Sequence, residues 1–156
     1  VQWCAGPADG GAVVMMTNAP AMCARRAAQP RREETIMLMG LHHVQLAMPQ
    51  GGEADARAFY GGVLRMAEAA KPGDLAEQGG CWFEAGSLRV YLGVETPFAP
   101  AQKAHPAFLV ASISALRDRL AEAGIVYQDN TEMAGFDRVF LDDPFGNRLL
   151  LLARAD

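Results

Sequence analysis

Two histidines stand at matched places in the chain. HVQLAM begins at His43 and HPAFLVA begins at His105, and each apolar strand pattern is followed by a helix-like stretch and then by further strand-like segments. The spacing from His43 to His105 nearly equals that from Tyr91 to Leu150, which lie in the last strand of each copy. The chain therefore reads as one β-α-β-β-β unit used twice. Such duplication restricts the fold to an α+β arrangement in which equivalent positions can be turned toward a cavity.

In the first copy the strand pattern covers Leu41 to Met48, and Gly51 and Gly52 break it before a helix. Ala56, Phe59, Tyr60 and Val63 share one helix face at i, i+3, i+4 and i+7, and the helix is expected to reach Leu64. A weak strand, Met66 to Ala70, ends at Lys71, Pro72 and Gly73. A hairpin follows, from Cys81 to Glu84 and from Leu88 to Val94, turning at Gly86 and Ser87. In the second copy a strand over His105 to Ala111 leads to a helix capped by Ser112 or Ser114 and stopped at Gly124. Strands over Ile125 to Gln128, Arg138 to Asp142 and Asn147 to Ala153 complete it, the last two joined by the DPFG turn.

Strand alternation separates the side chains into two sets. If Val44, Leu46 and Met48 pack against the helix, then His43, Gln45 and Ala47 face the other way. The same parity directs His105, Arg89, Tyr91, Gly93, Arg148, Leu150 and Leu152 to that second face, and assigns Val90, Leu92, Leu149 and Leu151 to the helix. A histidine opening an apolar strand can be a hydrogen-bonded rim residue or part of a site, and the matched pair favours a site. Arg89 and Arg148 admit two readings, anchors for an anionic group or solvated charges on an open face. Phe59, Tyr60 and Trp82 are expected to be core, because aromatics at helix and strand periods pack. Asp142 and Asp143 are expected to build the turn with Pro144, Gly146 and Asn147.

A net charge of −4 and the lack of a Lys/Arg cluster interleaved with aromatics exclude nucleic acid as the expected partner. No apolar run approaches the roughly 20 residues of a membrane span. Three cysteines at wide, motif-free spacings suit a reducing, cytoplasmic compartment better than a disulfide framework. Residues 1–36 differ in kind: rich in Ala, Gly, Pro and Arg and without periodicity, they are expected to form a disordered or non-native tail, with the functional start near Met37 or Met39.

The order of HVQLAM, ARAFYGGVL, a second histidine strand and DPFGNR resembles the vicinal oxygen chelate superfamily of glyoxalase I, the fosfomycin and bleomycin resistance proteins and extradiol dioxygenases. The resemblance covers residues 39–153 and implies a domain over 37–156, with modules at 39–95 and 104–154. It implies two βαβββ modules forming an open, cupped, eight-stranded mixed sheet with helices outside. It also implies metal ligands on the first and last strand of each module, with His43 and His105 in the first-strand positions. In the last-strand positions stand Tyr91 and Leu150, and a leucine can neither ligate nor abstract a proton.

Two functions follow from the resemblance. One is a metal-assisted enzyme, a lyase or dioxygenase acting on a small oxygenated, anionic metabolite. There His43 and His105 hold a divalent Zn, Ni, Fe or Mn, Tyr91 is a third ligand or proton donor, and Gln45, Arg89, Arg148 and Leu150 contact substrate. The other is a metal-free binding or drug-sequestering protein using the same cup, favoured by the missing carboxylate. Resemblance also implies a homodimer.

Overall fold

The computed structural model describes residues 37–155. The expected tail and the choice of start site fall on residues 1–36, outside the described residues. Met39–Asp156 forms one compact unit, and within it the β-α-β-β-β unit occurs twice. In the first module β1 (Val44–Met48), β2 (Ala67–Ala69), β3 (Cys81–Ala85) and β4 (Leu88–Val94) form a sheet in the order β1-β4-β3-β2. In the second, β5 (Ala107–Leu109), β6 (Tyr127–Asn130), β7 (Phe136–Asp142) and β8 (Arg148–Arg154) form a sheet in the order β5-β8-β7-β6. The first strand of each sheet runs parallel to the last, and the other pairs are antiparallel. The α+β class and the two βαβββ modules are as expected, and the eight strands are shared between two four-stranded mixed sheets that do not close into a barrel.

Among the described residues three α-helices accompany the sheets: α1 (Glu53–Ala56), α2 (Gly73–Ala76) and α3 (Ile113–Glu122). The α1 helix runs directly into a π-helical stretch, Arg57–Val63, in which Leu64 N–H donates to the Phe59 carbonyl at 2.9 Å. The whole ends at Arg65, which adopts a left-handed φ of 57°. At α3 the expected caps form. Ser112 Oγ accepts from Ala115 N–H at 3.2 Å, and Gly124 takes φ 66° just past the helix. The short α2, which begins at Gly73 of the Lys71-Pro72-Gly73 stop, was not foreseen, because four residues are too few to display a period.

One apolar core joins the modules. Met48, Phe59, Tyr60, Phe83, Val90 and Leu92 from the first share it with Phe108, Leu116, Leu120, Val139, Leu149 and Leu151 from the second. Buried polar contacts lock the same boundary. Tyr60 Oη donates to Asp143 Oδ2 at 2.8 Å, while Asn147 Nδ2 donates to both the Ala47 carbonyl at 2.8 Å and Asp143 Oδ2 at 2.9 Å. Asp143 Oδ1 accepts from the backbone of Phe145 and of Asn147, so the DPFGN turn is held by the acid expected to build it. At the entrance to β3, Gly80 has φ 81° and a Cβ there would run into the Leu92 carbonyl, so only glycine fits. Glu53 Oε1 accepts from Gly80 N–H at 2.9 Å, which holds the Glu53 carboxyl below its ordinary range.

Candidate functional site

The sheet faces turned away from this core carry the residues that parity had set apart. On the first module Tyr91 is buried yet stands outside the core. Its ring stacks on Trp82 at 4.1 Å and 10°, and on His43 at 4.5 Å and 21°. The strand register explains the stack, since Trp82 pairs with Tyr91 on β3–β4, and Gln45 pairs with Tyr91 across the parallel β1–β4 ladder. Gln45 extends over Gly93, where a Cβ would meet its amide. His42 stands edge-on to His43 with their Nδ1 atoms 2.9 Å apart. Arg89 pairs with Glu84, its register partner, through Nε at 3.0 Å.

On the second module Leu150 and Leu152 are buried but likewise outside the core. Leu150 is flanked in register by Ala107 and Phe140. The His105 ring meets Phe140 edge-on at 5.1 Å, while its Nδ1 lies 2.9 Å from the Lys103 carbonyl. The Arg148 guanidinium sits over the Phe140 ring, 4.2 Å from its centroid. Phe140, Gln128, Asp142 and Arg148 help line an open hollow of about 650 Å³.

His43 stacks on Tyr91 of the first module, and His105 meets Phe140 of the second. A cleft of about 490 Å³ beside His43 brings His42, His43 and Arg89 against Ala107 and Leu109 of the second module. His105 does not line it. The predicted residues therefore gather as two sets, His43, Gln45, Tyr91 and Arg89 on one face, and His105, Arg148 and Leu150 on the other.

The donor set that a single chain brings together among the described residues does not fit a resident metal ion. Among the described residues no group of three or more His, Cys, Asp or Glu side chains converges. Of the four inferred ligand positions, Tyr91 is packed face to face between two rings and Leu150 is hydrocarbon. Metal sites in proteins need three or four converging N, O or S donors.

Three residues of these faces went unrecognised or were misassigned from sequence. Trp82 was expected in the core, but it is half-buried on the opposite face beneath Tyr91, while Cys81 and Phe83 on either side of it are buried in the core. Period-2 alternation from Phe83 could have identified it. Glu84 neutralises Arg89, a pairing that only the hairpin register reveals. Arg138 is almost fully buried, 7% exposed, on the face that holds Phe140.

Comparison with known proteins agrees with this architecture. No family model matches the chain, and no curated protein does. Among solved structures, a glyoxalase family protein from Bacillus anthracis is 42% identical, covers 76% of this chain and 97% of its own, and superposes with a TM-score of 0.74. Two more distant structures share the fold. FosX, a fosfomycin resistance protein from Listeria monocytogenes, is 16% identical over 76% of this chain and 96% of its own, with TM-score 0.62. A glyoxalase/dioxygenase from Nostoc punctiforme is 18% identical over 92% of this chain and 100% of its own, with TM-score 0.64.

Proposed function

Because this chain belongs to the glyoxalase family of the vicinal oxygen chelate superfamily, we propose that it is a small-molecule-binding member that holds its ligand without a resident metal. The observation that carries this reading is the Trp82–Tyr91–His43 stack, which fills an inferred ligand position with packed aromatic rings. Aromatic side chains with a few polar groups at their edges are how proteins grip small planar or oxygenated molecules. Gln45 and the imidazoles supply those polar edges, and Arg148 over Phe140 supplies a cation on the second face. Sequestration of a small molecule is one role such a surface serves.

Each face carries one of the two matched histidines, and both faces turn away from the shared core. A second copy of the chain, setting the first module's face against the second module's face, would enclose a ligand between them. Sedimentation analysis tests this, with a dimer as the expected result. The unpaired, buried thiol of Cys81 suits a reducing, cytoplasmic setting.

The deciding experiment is calorimetric titration of the protein with Zn, Ni, Fe(II) and Mn, with the Leu150→Glu variant in parallel. The natural chain is expected to bind no metal more tightly than about millimolar, near 4 kcal/mol. A gain of affinity in Leu150→Glu would mark position 150 as a vacated ligand position, and no change would mean that the strand faces do not converge as the resemblance implies. Tight, stoichiometric metal binding by the natural chain would restore the metal-assisted enzyme reading, which the matched positions of His43 and His105 favour.

A further inference from the structure

We infer that Arg138 is the anion-recognising residue of this site, and that the second module's face takes a ligand bearing a carboxylate or phosphate group between the guanidiniums of Arg138 and Arg148. The inference rests on reading these faces as the ligand site. Arg138 is 7% exposed, yet it takes part in none of the ion pairs formed among the described residues, which are Arg57–Glu68, Arg89–Glu84 and Arg117–Asp129. Its Nη2 donates to the neutral amide oxygen of Asn130. Its Nε is enclosed by protein with no acceptor, the one buried side-chain nitrogen or oxygen among the described residues left in that condition. The carboxylate of Glu132 accepts from Asn130 Nδ2 at 3.3 Å instead of meeting the guanidinium.

A buried cation without a counter-charge is a liability for a scaffold, because desolvation is not repaid. A methionine would fill the same space at no such penalty, so the charge calls for a partner that arrives from outside the chain. The register locates where that partner would sit. Arg138 faces Leu152, and Phe140 faces Leu150, so the two β7 residues lie on one side of the sheet. Arg148 reaches to the same ring from β8, its guanidinium carbon 4.2 Å from the Phe140 centroid, and makes no ion pair with its register partner Asp142. His105 closes on Phe140 edge-on. Arg148 and His105 thus both meet the Phe140 ring, and Arg138 stands two residues before it on the same side of β7, while Arg89 on the other module is already paired with Glu84. The planar fork of arginine donors matches the paired oxygens of a carboxylate or phosphate.

The test uses the full chain with nitrogen-15 arginine, following the Arg138 Nε–H resonance during titration with inorganic phosphate and, separately, acetate, against chloride at equal ionic strength. A saturable shift with either anion is expected, and the anion that acts more strongly identifies the group. Arg138→Met is expected to weaken that binding by about ten- to a hundredfold, the loss of one charge-assisted hydrogen-bonding group. Arg138→Lys, which keeps the charge and loses the fork, is expected to fall between, and Arg117→Met to leave it unchanged. Should neither anion move Arg138 beyond the chloride control, the inference is overturned. In that event, ligand-induced quenching of Trp82 fluorescence by other small molecules would leave the binding-face reading standing, and its absence would remove both.

Discussion

Replacing Tyr60 with phenylalanine deletes a single oxygen from the boundary between the modules, and the cost can be worked from its surroundings. The side chain is fully buried, and its hydroxyl donates to Asp143 Oδ2 at 2.8 Å. The ring itself loses nothing, since its packing on Phe83 at 5.3 Å and Phe59 at 5.0 Å is retained. A hydrogen bond to a charged group contributes about 1.5–3 kcal/mol. Asp143 keeps its donors from Phe145 N, Asn147 N and Asn147 Nδ2, which places the expected loss near the middle of that range, about 2 kcal/mol. For a domain of this size that is a fall in Tm of roughly 6–10 °C. Urea denaturation followed by circular dichroism should show a lower midpoint with an unchanged m-value. A double-mutant cycle with Asp143→Asn should return a coupling above about 1 kcal/mol. A loss below about 0.5 kcal/mol in Tyr60→Phe would refute the argument that this contact locks the modules together.

The same hydroxyl predicts an alkaline limit. Burial first, and then the neighbouring Asp143, push the Tyr60 phenol far above its ordinary range. A raised folded-state pKa means its contribution is intact below about pH 10, where the unfolded phenol is still protonated, and declines above it. Stability should therefore fall by up to about 1.4 kcal/mol for each pH unit beyond that point, and the Tyr60→Phe chain should lack this component of the slope. Arg65 occupies the left-handed region with φ 57°, so Arg65→Gly should raise stability by about 0.5–1 kcal/mol, read as a higher denaturation midpoint. A lower midpoint would mean that the Arg65 side chain contributes more than its backbone costs. Cys81 is 1% exposed and burial raises its thiol pKa, so peptide mapping after iodoacetamide treatment should find it unmodified in the folded chain and modified in urea. Modification at the native rate of an exposed thiol would contradict its place in the core.

Much of the fold was legible because alternation is a local property. Val44, Leu46 and Met48, then Val90 and Leu92, and finally Leu149 and Leu151, were assigned to the helix side from period 2 alone, and all pack in or against the core. The caps at Ser112 and Gly124 and the acid-built turn at Asp143 were legible for the same reason, since each depends on residues a few positions apart. Boundaries were less so. The first strand begins at Val44 rather than Leu41, and β5 covers only Ala107–Leu109, because strand ends depend on which neighbour offers hydrogen bonds. Trp82 was misassigned because an aromatic at a strand period was taken to pack in the core, when its own strand parity pointed outward.

The chain's residue order alone determined the repeated unit, the faces of its strands and the family, because each is encoded in periodicities and short motifs that need no knowledge of distant contacts. Only the tertiary structure decided that His43 stacks on Tyr91 while His105 meets Phe140, that Glu84 pairs with Arg89, and that Arg138 is buried without a counter-charge among the described residues. Those outcomes depend on how one sheet registers against its own strands and on how two modules share a core. Electrostatic pairing is settled by distance in space, and residues far apart in sequence acquire that distance only when the chain has packed.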